Sequence, residues 1–270
     1  MMREAKVDSQ ECTSSSFGLY EGTAYKYRDF QHLDSEKKSR IARMFSDCEI
    51  FFANPVTFND PFDCNPVIET KNSHKLRKPF LKILKRKGLP RTSRYLSNYL
   101  YEMKNGGFNS LYRDSLSELF GLCCMSKSGE LINQWTHYAN NHTGFCVEYA
   151  LGGTEFPGRC VEVNYTSLRP TIDVHRFQVD DAYRLRALQN VFIHKSLEWE
   201  KEEEIRIFGD KKGACSLPAH FIKGVIFGKD IDPQHQLFLE QVIRSFNLKI
   251  STYKIALSAG SFGLHKLKLS

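Results

Sequence analysis

The sequence predicts an α+β fold: a mostly antiparallel sheet with flanking helices. Three observations carry that expectation. Segments with period-two alternation recur along the chain, stripes at helical spacing lie between them, and Gly-, Pro- or Asn-rich breaks separate the two kinds. The 270 residues are 41% apolar and 26% charged, which suits one large globular domain and excludes a disordered or collagen-like chain.

Taken in order, residues 1–17 read as a loose Ser-rich tail, and 18–270 as a single domain. Ala24–Phe30 is a first strand, with Tyr25 and Tyr27 on one face and Lys26 and Arg28 on the other. Asp34 or Ser35 caps a helix whose apolar stripe is Ile41, Met44 and Phe45. Glu49–Ala53 is a short strand, and the Pro- and Asn-rich segment 54–63 follows. From His74 to about Phe120 the spacing is helical: Leu76, Phe80, Ile83 and Leu84, then Leu96, Leu100 and Met103. After a break at Gly106 and Gly107 comes a further helix with Leu116, Leu119 and Phe120. Residues 72–120 thus form a helical insertion.

Strands resume at Leu122–Met125. A helix follows with Leu131, Ile132, Trp135 and Tyr138 on one side, then alternating strands at 144–149 and 161–165. A long helix is expected over 179–197, and strands over 202–208 and 222–227. Asp232 and Pro233 open a helix that buries Leu239, Val242, Ile243 and Phe246, and two strands, at 250–257 and in the terminal HKLKL, complete the set.

No run approaches the roughly 18 apolar residues of a membrane span, and the amino end lacks the apolar stretch of a secretory signal. The expectation is a cytoplasmic protein without membrane contact. The eight cysteines show no CxxC pair and no regular spacing, so reduced, mostly buried thiols are expected. Formal net charge is +7, and the excess is local: ten basic residues and no acid lie between Lys71 and Arg94. Lys78, Lys82, Lys85 and Arg86 in that stretch are candidates for contact with nucleic acid or an acidic partner. A solvated helix face is the competing reading.

The strongest chemical signal is the run Trp199–Arg206 (WEKEEEIR). In an extended strand Glu200, Glu202, Glu204 and Arg206 share one face, while Ile205 and Ile207 turn inward on the other. Two carboxylates so placed can divide labour, one stabilising a developing sugar cation and the other receiving a proton. A solvated acidic strand end would look the same. Arg28, at the end of the first strand, can grip a pyrophosphate with paired hydrogen bonds, or stand as a surface arginine. Phe58–Asp63 (FNDPFD) is turn-forming and fits a pocket wall or a structural corner. His137 is a pocket hydrogen-bonding group or a core histidine. His137, His142 and Cys146 lack a fourth ligand and a recognised spacing, so no metal is expected there. Patterns for a dinucleotide fold, a P-loop or a nucleophile elbow are absent.

In order, the segments YKYR (25–28), NPVTFNDPFD (54–63), WTHYA (135–139) with GFCVE (144–148), and Trp199 with Glu202, Glu204 and Arg206 resemble a bacterial family labelled as a domain of unknown function. A more distant resemblance is to ADP-ribosyltransferases of the Arg–Ser–Glu type. Arg28, Ser126-Lys-Ser128, the helix around Trp135, the strand Phe145–Tyr149 and Glu202-x-Glu204 occur in that family's order. This resemblance implies a split antiparallel sheet of ADP-ribosyltransferase-like type and NAD as substrate. It also implies a protein or nucleic-acid acceptor, and toxin or phage-defence roles in which an inhibitory partner protein can take part. It makes Glu204 the catalytic stabiliser of the oxocarbenium-like transition state, and Glu202 the residue that orients or deprotonates the acceptor. Arg28 would hold the phosphates, Ser126 would brace the nicotinamide-ribose pocket, and Tyr25, Asn59, Asp60, Trp135, His137 and Tyr138 would line the cofactor site. The Ser-Thr-Ser of that family is here Ser-Lys-Ser, and the basic insertion is extra. Two other readings remain open: a metal-dependent nuclease using Asp60, Asp63, Glu202 and Glu204, and a binding module without turnover.

Overall fold

The computed structural model describes residues 19–69, 77–86, 88, 90, 92–102, 112, 121–153, 156, 158–210 and 212–269. The expected amino-terminal tail, the glycine break at 106–107 and the helix of Leu116, Leu119 and Phe120 lie outside these residues, as do Lys71, Lys75, Lys87 and Arg91.

An α+β architecture with a mostly antiparallel sheet is observed. Among the described residues eight strands form the main sheet: β1 (Gly22–Arg28), β4 (Gly121–Ser126), β5 (Phe145–Leu151), β6 (Arg159–Glu162), β10 (Glu204–Gly209), β12 (Ile222–Phe227), β13 (Ser251–Leu257) and β14 (Leu264–Lys268). Their spatial order is β14-β13-β12-β5-β1-β4-β10-β6, antiparallel throughout except for β12 and β13. Those two run parallel because helix α7 (Pro233–Ser245) carries the chain back between them. Three two-stranded sheets among the described residues flank the main one. They pair β2 (Glu49–Phe52) with β11 (Gly213–Ser216), β3 (Val67–Glu69) with β8 (Thr171–Asp173), and β7 (Asn164–Thr166) with β9 (His194–Ser196).

Helix α1 (Ser35–Ser46) is capped by Asp34, whose carboxylate accepts from the Lys37 amide at 2.8 Å, and it buries the expected Ile41, Met44 and Phe45. It shares a core with Leu239 and Ile243 of α7 on one face of the sheet. On the other face α4 (Ile132–Tyr138) drives Trp135 against Tyr27, their rings edge to face at 5.2 Å. A third cluster gathers Ala187, Val191 and Phe192 of α6 (Asp181–Ile193) with Ile172 and Leu122. Leu81 of α2 (Arg77–Arg86) and Phe58 also pack on it. Helices α2 and α3 (Ser93–Glu102) lie between β3 and β4, within the expected insertion. No helix among the described residues is long and apolar enough to cross a membrane. Each of the seven described cysteines is a free thiol, and five are buried.

Four expectations need correction. Residues 161–165 do not form one strand: the ladder with β10 ends at Ile205 opposite Glu162, and the chain turns off as β7 to pair with β9. The helix expected over 179–197 breaks at Asp180, which ends the short helix α5 (Val174–Val179) and whose carboxylate caps α6 by accepting from the Tyr183 amide at 2.9 Å. It then ends at Ile193, because His194–Ser196 is drawn out as strand β9. Phe246 is exposed at the end of α7 rather than buried. Finally, β3, β8 and β11 carried no alternation long enough to be seen in the sequence.

The feature that positions the site is a split in the main sheet. β1 and β5 share seven registered pairs, and β10 and β4 share six, but β1 meets β4 through Tyr25 opposite Ser126 alone. Beyond that pair the strands part, and the Lys26 ammonium reaches across the gap to the Cys124 carbonyl. The carboxyl end of β1 is instead held from the other side by Gly144. A Cβ there would stand 2.1 Å from the Arg28 carbonyl oxygen, so only glycine allows that approach.

Candidate functional site

A cleft of about 350 Å³ opens at the split. Its lining includes Lys26 and Arg28 from β1, Cys124 and Ser126 from β4, and Phe51 from β2. Phe58, Asn59 and Asp63 come from the Asn-Pro segment, Gln134, His137 and Tyr138 from α4, and Lys195, Glu202 and Glu204 from the chain around β10. This volume falls in the range of small-ligand sites.

Arg28 sits half-buried in the wall, with no hydrogen bond or ion pair to its guanidinium among the described residues. Asp29 beside it is already taken by Lys37 at 2.5 Å. A guanidinium without an internal partner is available to an incoming anion.

The two glutamates arrive by a route that strand geometry alone did not suggest. Glu202 is not on β10. It closes a 3-10 helix, Leu197–Glu202, that Ser196 caps, and Glu203 then adopts a left-handed conformation with φ 46° and ψ 51°. That turn places Glu202 and Glu204 around one ammonium: Lys195 Nζ lies 2.5 Å from Glu202 Oε2 and 2.8 Å from Glu204 Oε2. Both carboxylates are buried, at 6% and 4% exposure, so the solvated strand end is ruled out for them. Glu200, expected on the same face, is exposed to solvent.

Arg206, fully buried on β10, extends the cluster. Its Nε donates to Glu204 Oε1 at 2.8 Å, and one terminal nitrogen donates to both oxygens of Asp63 at 2.7 and 2.9 Å. The other terminal nitrogen donates to the Phe192 carbonyl at 2.7 Å. The Glu204 amide donates to the Tyr165 hydroxyl at 2.8 Å, and the Ser126 hydroxyl donates to the Glu202 carbonyl at 2.7 Å. Tyr138 donates to Glu202 Oε1 at 3.0 Å.

Burial opposes ionisation of Glu204, yet Arg206 and Lys195 outweigh it and hold the carboxyl at about 2. Burial likewise disfavours the Lys195 cation, and Glu204 and Glu202 override that to hold it well above the usual lysine range. Burial, and then the Glu202 carboxylate, push the Tyr138 phenol upward, so it acts as a donor. Burial also raises the Cys124 thiol well above its ordinary value, which removes it as a thiolate nucleophile.

Of the residues expected in the site, Arg28, Tyr25, Asn59, Ser126, His137, Tyr138, Glu202 and Glu204 line the cleft. Tyr25 also engages Lys266, whose ammonium donates to its hydroxyl at 3.3 Å. Trp135 does not belong there: it is fully buried, with its indole N–H donating to the Gly129 carbonyl at 2.9 Å. Nor does Asp60, which uses one oxygen to accept from the Phe62 amide at 2.8 Å and lines a neighbouring pocket of about 30 Å³ that shares Phe58 and Asp63 with the cleft. Lys78, Lys82 and Lys85 are exposed on α2, away from the cleft lining, and Arg86 lies on the same helix.

Sequence reasoning missed Lys195, Gln134 and Tyr165. Lys195 carried no signal, since one lysine before a tryptophan has no pattern. Only the turn through 197–203 shows that it faces carboxylates seven and nine residues ahead.

The arrangement also bears on a divalent ion. Asp63, Glu202 and Glu204 already carry lysine or arginine partners, and Asp60 is absent from the cleft lining, so the four carboxylates do not line one cavity. Among the described residues no group of three or more His, Cys, Asp or Glu is placed to hold a metal.

Comparison with family models, with curated proteins and with solved structures found no match.

Proposed function

We propose that the chain is an NAD-consuming enzyme of the ADP-ribosyltransferase type, transferring ADP-ribose to a protein or nucleic-acid acceptor. One observation carries this reading: Arg28, Ser126 and the Glu202–Glu204 pair, far apart in sequence, line a single cleft at the split between β1 and β4. The polarity of that cleft supports it. Lys26 and Arg28 form a cationic wall, while three carboxylates against two cations leave the opposite end one negative charge in excess. A dinucleotide with an anionic diphosphate and a cationic nicotinamide ring has the matching polarity.

In this reading Arg28 holds the diphosphate, which leaves the nicotinamide ribose near the carboxylates. Departure of neutral nicotinamide builds positive charge on the sugar, and the fixed carboxylate end stabilises it without reorganising. An effector role in toxicity or phage defence, with an inhibitory partner, belongs to the same proposal.

The test is incubation of the purified chain with NAD in the presence of candidate protein and nucleic-acid acceptors, with free nicotinamide quantified. Release by the native protein, absent from the Glu202→Gln/Glu204→Gln double variant, is the expected result. No release together with no NAD binding would refute the proposal, and binding without release would favour a binding module.

A further inference from the structure

The hydrogen-bond accounting of the two glutamates is unequal. Both oxygens of Glu204 face cations: Oε1 takes Arg206 Nε at 2.8 Å, and Oε2 takes Lys195 at 2.8 Å and a second Arg206 nitrogen at 3.4 Å. Glu202 gives Oε2 to Lys195 at 2.5 Å, but among the described residues its Oε1 accepts only the neutral Tyr138 hydroxyl, at 3.0 Å. A carboxylate whose oxygens are all taken by buried cations is a poor proton acceptor and a weak stabiliser of new positive charge. A carboxylate oxygen that holds one neutral donor retains a lone pair for both tasks.

We infer that Glu202 is the reacting carboxylate, and that Glu204 and Lys195 are positioning residues that aim it. This assignment rests on the NAD-consuming reading and deepens it, and it moves to Glu202 the stabilising role that the resemblance implies for Glu204. Glu204, anchored through Arg206 to Asp63, holds the Lys195 ammonium, which also lies 5.2 Å over the Trp199 ring. Lys195 in turn pins Oε2 of Glu202, while the Ser126 hydroxyl secures the Glu202 carbonyl. That leaves Oε1, held among the described residues by Tyr138 alone, as the oxygen with room for a further donor.

The step balances without any further reagent. The bond from the ribose C1′ to the pyridinium nitrogen breaks, and its electron pair leaves with neutral nicotinamide. A lone pair on the acceptor's oxygen or nitrogen forms the new bond to C1′, and the acceptor's proton passes to Glu202 Oε1. With water as acceptor the products are ADP-ribose, nicotinamide and a proton.

The experiment compares nicotinamide release by the native chain, Glu202→Gln, Glu204→Gln and the charge-neutral double variant Lys195→Met/Glu204→Gln, each with its melting temperature. Glu202→Gln should lose about 10³-fold in kcat at native stability, with KM for NAD little changed, as loss of a general base does. The double variant keeps the net charge of the cluster, three carboxylates against two cations becoming two against one, and removes both groups that aim Glu202. It should keep turnover within roughly 10²-fold of native, the scale of a misaimed group. Formate should restore turnover to Glu202→Gly and not to Glu204→Gly, because only a reacting carboxylate has a surrogate. Full turnover by Glu202→Gln beside a folded, inactive double variant would overturn the assignment. An inactive native chain would instead overturn the NAD reading, and the assignment with it.

Discussion

Tyr25 and Ser126 form the single registered pair between β1 and β4, and everything in the cleft depends on the sheet parting at that pair. Ser126 continues the row to Glu204 on β10, so one line across three strands holds the floor of the site. Past Tyr25, β1 carries Lys26 and Arg28 into the opening, where side chains replace ladder hydrogen bonds. A split sheet thus exposes strand edges inside the molecule and fills them with functional groups.

Arg28→Ala should weaken NAD binding by roughly ten- to a hundredfold, since a charge-assisted hydrogen bond contributes about 1.5–3 kcal/mol. Its melting temperature should stay near native, because the guanidinium has no internal partner among the described residues. Calorimetric titration with NAD, run beside a thermal melt, checks both statements; unchanged affinity would remove Arg28 from the site.

Arg206→Met tests the anchor rather than the chemistry. It strands Asp63 and leaves Glu204 with Lys195 alone, in a position of no solvent exposure. Breaking a buried pair in this way costs about 3–5 kcal/mol. Urea unfolding at neutral pH measures the loss, and a change below about 1 kcal/mol would mean the cluster relaxes into water.

Stability should fall in acid through Glu204. Its carboxyl titrates near the ordinary 4.5 when unfolded and at about 2 when folded. A depressed folded value contributes stability above pH 4.5 that is lost as pH drops toward 2, roughly 3 kcal/mol at 1.36 kcal/mol per unit. Urea unfolding stepped from pH 6 to pH 2.5 should show this slope in the native chain and a flatter one in Glu204→Gln. Parallel slopes would place the acid sensitivity elsewhere.

Neutralising Lys78, Lys82 and Lys85 addresses α2. These three exposed lysines lie at i, i+4 and i+7, on one face of the helix. If that face follows a phosphate backbone, replacing all three by Ala should reduce the salt slope of single-stranded nucleic-acid binding by up to about 2. Fluorescence anisotropy across a salt series reads this directly, and an unchanged slope would return the lysines to a solvated face.

Much of the fold was legible because its signals are local. The stripe of Ile41, Met44 and Phe45 with the Asp34 cap, the alternation of 145–151, and the Asp232-Pro233 start of α7 each require only neighbours within a few residues. Where local signals conflict with pairing, pairing wins: β9 was hidden inside a helical pattern because its partner β7 lies some 30 residues away.

By itself the sequence determined the α+β class, the mostly antiparallel sheet and most of the helices and strands that build it, and it pointed to Arg28, Ser126, Glu202 and Glu204, which the fold brings to one cleft. It also placed Ile205 and Ile207 in the core, since an alternating strand buries one face whatever its partners are. Only the tertiary structure decided that the glutamates surround Lys195, that Trp135 and Asp60 lie outside the cleft lining, and that Arg28 stands there without a partner among the described residues. The physical reason is range. Propensity and periodicity act over a turn or two, whereas a buried charge is tolerable only beside a counter-charge that the chain must bring from elsewhere, and that meeting exists once the sheet has formed.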